Sequence, residues 1–193
     1  PLVACTDPAA NNAHSGVNAP LDKGRIRGTH DWSHQPHICA YAYIVTGEPQ
    51  FLDATHDMGV AALASAQNKT VTVSVTSYSN IVLRDIYQVR TDAWILLDVA
   101  YAALLTPDDY MGKPLGTMFR DVLARNFDYL VAEKATGSAF ARAAKVYPGV
   151  SVREAPWQIA YLLTAMHIAY TATGDADAKT AIEDMFQYLD SIR

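Results

Sequence analysis

Cysteine is scarce in this chain: Cys5 and Cys39 are the only two among 193 residues. No CxxC pair and no metal-type Cys/His spacing occurs, which excludes a disulfide scaffold or a zinc module as the basis of the fold. The two thiols either pair or stay apart as small hydrophobes. Charge is sparse as well, at 18% of residues, and the balance is acidic, with a net charge of −5. Without an excess of Lys and Arg there is little to neutralise phosphates, so nucleic acid is not expected as a partner. Long apolar runs are missing too. The stretch 94–105 is too short to span a bilayer and contains Asp98, and 157–172 is broken by Thr164 and His167, so no membrane partner is expected. The chain has no Gly-rich phosphate loop, no GxSxG and no strand–helix alternation, which removes nucleotide binding and the common serine hydrolases.

What is present is a chain half of whose residues are apolar. That is enough to bury a core without a metal, and too apolar for a disordered segment. Residues 1–35 lack helical periodicity and form an N-terminal arm or loop. Residues 36–193 form a hairpin-repeat domain. A chain beginning at Pro1 reads either as a secreted or periplasmic protein whose leader was removed, or as the tail of a longer one. Helical patterns are expected at 37–45, 51–67, 81–105, 115–133, 155–172 and 176–192. Residues 68–80 change to a period of two, which predicts a short β-like insertion near 70–78. The segment 135–153 is irregular.

Three of these helices end on the same punctuation: Thr46-Gly47-Glu48, Thr106-Pro107-Asp108 and Thr173-Gly174-Asp175. Counting back from each threonine aligns the helices. Five residues back lie Tyr41, Tyr101 and Ile168; twelve back, His34, Trp94 and Tyr161; sixteen back, His30, Arg90 and Trp157. Positions twelve and sixteen back are four residues apart and share a helix face. The pattern predicts an all-α fold of three antiparallel helical hairpins, a partial (α/α)n toroid. The first helices line its inside and are apolar nearly all round, as 160–172 reads. Three hairpins make half a ring, so another domain or subunit is expected to complete it.

The segment Gly28-Thr29-His30-Asp31-Trp32-Ser33-His34-Gln35-Pro36, followed by Tyr41, Tyr43 and Thr46-Gly47-Glu48, resembles the inner-helix segment of bacterial α/α-toroid proteins. Such segments read Asp-x-x-His-x-Pro, then an aromatic helix, then Thr-Gly-Asp. Arg90, Ala93 and Trp94 resemble their Arg-x-x-Ala-Trp helix, and Pro156-Trp157 their Pro-Trp helix. The group comprises toroid polysaccharide lyases and glycoside hydrolases, and the resemblance covers about residues 25–193. It implies a carbohydrate-active domain that binds or cleaves an acidic polysaccharide or oligosaccharide by lyase-like β-elimination.

The residues fit such chemistry. Flat aromatic faces stack on sugar C–H surfaces, and Trp32, Trp94, Trp157, Tyr41, Tyr101 and Tyr161 could supply them. Arg90 could clamp a uronate carboxylate with its planar fork. In an elimination, His34 is the candidate base, Tyr41 the acid and Arg90 the neutraliser. His30, Asp31, His37 and Glu154 complete the candidate binding set. No cofactor is expected, and no metal, since His34 and His37 lack a matching carboxylate ligand. Two other readings stay open. An inverting glycoside hydrolase would use two of Asp31, Asp92 and Glu154. A non-catalytic structural or assembly domain would use the aromatics as core, with Asp31 and His34 as caps.

Overall fold

A computed structural model describes residues 37–65, 71–73, 76–78, 81–83, 89–135 and 156–191. The described chain is mostly helical: α1 (Ile38–Thr46), α2 (Pro49–Ser65), α3 (Val89–Leu105), α4 (Leu115–Ala135), α5 (Pro156–Thr173) and α6 (Ala176–Ser191). Between α2 and α3, β1 (Val71–Val73) pairs antiparallel with β2 (Thr76–Tyr78), with Val71 opposite Tyr78. This is the expected insertion. Expectations for 1–36 and for most of 135–153 lie outside the described residues.

The repeated threonine punctuation has a physical basis. Thr46, Thr106 and Thr173 each donate a hydroxyl hydrogen bond to the carbonyl four residues back, at 2.7, 2.5 and 2.9 Å. In the first and third hairpins the next residue is glycine at φ 69° and 66°. That left-handed conformation is open to glycine at little cost. Gly47 N–H and Gly174 N–H then bond Tyr43 O and Tyr170 O, both at 2.8 Å. The threonine oxygen accepts the N–H of Glu48 or Asp175, each at 3.2 Å. Pro49 opens α2, where a missing N–H costs nothing. Asp175 opens α6 by accepting the N–H of Asp177 and Ala178. Pro107 blocks this turn in the second hairpin, so its connection is longer and closes on a Tyr110–Lys113 bridge.

Helix α3 is the hub. It packs against α2, α4 and α5, most extensively against α5, and touches α1. Every residue from Ile95 to Ala103 is buried. The facing stripe of α5 is Ile159, Leu162, Ala165, Met166 and Ala169, all at most 1% exposed. Its spacing of three and four residues is that of one helix face. Gly59 of α2 permits a close approach, since a β-carbon there would lie 2.8 Å from Ala102 Cβ and 2.9 Å from Phe119.

Two expectations are corrected. Helix α3 begins at Val89, not Ile81: residues 81–83 are buried but not helical. Their amides are satisfied sideways, because Asn126 Oδ1 of α4 accepts Val82 N–H at 2.8 Å and Leu83 N–H at 3.3 Å. The apolar run reflects burial against α4 rather than helical continuation. The second correction concerns α5, which is not covered all round. Trp157, Ala160, Tyr161, Thr164 and His167 are exposed, because α5 has a described helix packed on its α3 side and its α6 side only, apart from a lesser contact with α4. Of the first helices, α3 alone is enclosed.

Candidate functional site

His37 stands at the N-cap of α1, yet its side chain makes no capping bond. The ring turns instead into the protein, where it is 2% exposed. Its Nδ1 lies 2.5 Å from Oδ1 of Asp98, itself 4% exposed, on the buried helix α3. Residues 94, 98 and 101 share one face of α3, so Trp94 and Tyr101 flank the carboxylate. Both pack on His37, with ring centroids at 4.8 and 5.5 Å. An aspartate accepting from Nδ1 fixes the proton there, so in the neutral ring Nε2 bears a lone pair.

From this centre a row of aromatic rings runs over three helices. Tyr101 donates its hydroxyl to Tyr41 at 3.3 Å, and their rings meet edge to face at 5.5 Å. In the other direction Trp94 packs on Tyr161 at 5.3 Å, Tyr161 meets the edge of Trp157 at 6.0 Å, and the Arg90 guanidinium lies over Trp157 at 5.8 Å. Residues that align when counted back from the threonines thus touch in space: Tyr41 with Tyr101, Trp94 with Tyr161, Arg90 with Trp157. The row is open at its ends, where Tyr41, Trp157 and Tyr161 are 49%, 48% and 42% exposed.

The row holds unusual polar atoms. Among the described residues, His37 Nε2, Trp94 Nε1 and Arg90 Nε are buried without a hydrogen-bond partner. Each such group costs about 1–3 kcal/mol, and native proteins keep few of them. Burial, then the hydrogen bond and charge of Tyr41, push the Tyr101 hydroxyl well above its ordinary value, which keeps it a donor. Burial and then the Asp98 charge push the Cys39 thiol up as well. Cys39 is a free thiol, and Cys5 lies outside the described residues.

Seven candidates named from the sequence therefore come together: His37, Tyr41, Arg90, Trp94, Tyr101, Trp157 and Tyr161. His30, Asp31, Trp32, His34 and Glu154 lie outside the described residues. Asp92 is buried, 8% exposed. Asp98 is not among the site residues expected from the sequence. Its signal was visible as the one acidic residue inside the run 94–105. No group of three or more metal-ligating side chains occurs among the described residues. No described helix is long and apolar enough to cross a membrane.

No family model, curated protein or solved structure matches the chain. The likeness to toroid proteins therefore rests on the quoted segments.

A second buried histidine lies towards the other end of α3. His56 of α2 is 6% exposed, and its Nε2 is 2.7 Å from Thr106 Oγ1. The Thr106 proton already goes to Ala102 O, so Nε2 of His56 is the donor. Tyr110 packs edge-on to the ring at 4.6 Å and donates to Asp53 at 2.8 Å. Arg120 ties the same turn together through Ala103 O, Thr106 O and Asp108.

Proposed function

We propose that this chain is a carbohydrate-active helical-hairpin domain that binds an acidic polysaccharide along the aromatic row and cleaves it by β-elimination. The observation that carries this reading is the row itself: aromatic rings from three helices, half-exposed at the ends on α1 and α5, with buried nitrogens that lack partners beside them. Stacking surfaces together with unanswered donors suit a ligand with flat C–H faces and many oxygens. Arg90 would face the uronate carboxylate. His37 takes the base role here, since its ring sits in the row with an unpartnered Nε2, and Tyr41 is the acid.

The step balances within these groups. The C5 proton moves to His37 Nε2, its electron pair forms the C4–C5 double bond, and the C4–O bond breaks. The leaving oxygen takes the Tyr41 proton, and the Tyr101 hydroxyl supports the resulting phenolate. His37 Nε2 is buried, so substrate must displace the side chains that cover it.

Of the three carboxylates an inverting hydrolase would draw on, Asp92 is buried, and Asp31 and Glu154 lie outside the described residues. Ring completion by a further domain or subunit is supported by the uncovered apolar face of α1, where Ile38, Ile44 and Val45 are 63%, 57% and 83% exposed.

The test is a titration of the full chain with uronate oligosaccharides, following tryptophan fluorescence and the absorbance of unsaturated product. Binding that weakens at least tenfold in Trp157→Ala and in Arg90→Gln supports the reading. Absence of binding to any acidic glycan would overturn it.

A further inference from the structure

We infer that Asp98 is a positioning residue that sets the tautomer and ring orientation of His37; this rests on the reading of His37 as the proton acceptor. The argument begins with cost. Asp98 lies inside the most enclosed stretch of the protein, between Leu97 and Val99, which are 4% and 0% exposed. A carboxylate there costs several kcal/mol of desolvation, and an apolar residue of similar volume would serve packing as well or better. What the carboxylate adds is direction. It meets Nδ1 of His37, a residue at the mouth of a nine-residue helix that barely touches α3.

Ring plane and proton position are fixed by different groups. Trp94 and Tyr101, one turn before and after Asp98, hold the ring between them. Aromatic packing does not distinguish the two nitrogens of an imidazole, but a carboxylate does, because it only accepts. Among the described residues nothing bonds Nε2, so Asp98 is what places the proton on Nδ1 and leaves the lone pair on Nε2. When Nε2 takes up a proton, the same carboxylate faces the imidazolium.

His56 provides an internal reference, because its bond to Thr106 demands the opposite tautomer. The experiment is long-range ¹H–¹⁵N NMR of the histidine-labelled full chain at a pH where the rings are neutral. The His37 signal is assigned by its loss in His37→Gln. In the wild type, His37 is expected as Nδ1–H and His56 as Nε2–H. Asp98→Asn, whose amide can donate to Nδ1, is expected to shift His37 toward Nε2–H and leave His56 unchanged. Asp98→Glu is expected to keep Nδ1–H. With an oligouronate substrate, Asp98→Asn should lower kcat about a hundredfold or more, with KM within about twofold.

An unchanged His37 tautomer in Asp98→Asn, or an unchanged kcat, would overturn the inference. Should Asp98→Asn fail to fold, a wild-type His37 found as Nε2–H would overturn it equally. If no acidic glycan binds the wild type, the functional reading fails on that arm, while the tautomer measurement still decides the role of Asp98.

Discussion

His37 and His56 are both almost fully buried against α3, yet their surroundings differ in kind. His56 meets a threonine hydroxyl whose own proton is already committed, within a turn that Arg120 and Tyr110 tie down. Among the described residues, none of the buried unpartnered atoms belongs to that cluster. His37 meets a carboxylate and keeps one nitrogen unanswered, beside further unanswered nitrogens on Trp94 and Arg90. The same side chain at similar burial thus does two jobs. At one end, hydrogen bonds are closed among themselves and hold a turn. At the other they are left open, and each open buried nitrogen costs about 1–3 kcal/mol.

The contrast can be broken by substitution, and the largest effect is expected at the closed end. A β-carbon at Gly116 would collide with the backbone carbonyls of Thr106 and Pro107. Gly116→Ala is therefore expected to lower unfolding stability by about 3 kcal/mol, read as a fall in the urea midpoint. Glycan affinity of the folded fraction should be unchanged.

His56→Leu is expected to cost about 2 kcal/mol, because Thr106 loses a donor while ring packing is partly kept. This histidine also predicts a pH dependence. Burial, opposed by the charges of Asp53 and Asp57, lowers its folded-state pKa below the ordinary 6.5. The unfolded chain therefore binds the proton more readily. The contribution of His56 is fully present above that ordinary value and is lost as pH falls through the lower folded one. Urea midpoints taken above and below pH 6 should fall on acidification in the wild type and fall less in His56→Leu. An equal fall in both proteins would show that His56 is not the titrating group.

The smallest stability effect is expected at the open end. Trp94→Phe removes an indole N–H that has no partner among the described residues, so its cost is expected to stay within about 1 kcal/mol despite the lost volume. Glycan affinity, measured by calorimetry, should fall about tenfold. A large loss of stability with unchanged affinity would turn the open end into a second closed one.

Much of this arrangement was legible beforehand. The threonine-centred turns act within four residues, so their chemistry can be read locally, and the positions they align, Tyr41 and Tyr101, Trp94 and Tyr161, Arg90 and Trp157, are in contact. The period-two segment was legible for the same reason. Residues 81–83 were misread because an apolar run does not say whether its amides turn to a helix or to Asn126.

The sequence by itself determined the six described helices, most of their stops and the residues that share a face, since these follow from bonds between near neighbours and the helical period. Only the tertiary structure decided that His37 meets Asp98, sixty-one residues away. It also decided that α5 is open on one side and that, among the described residues, His37 Nε2, Trp94 Nε1 and Arg90 Nε are buried without partners. Those outcomes depend on how helices rotate and seat against one another, and no local interaction fixes that.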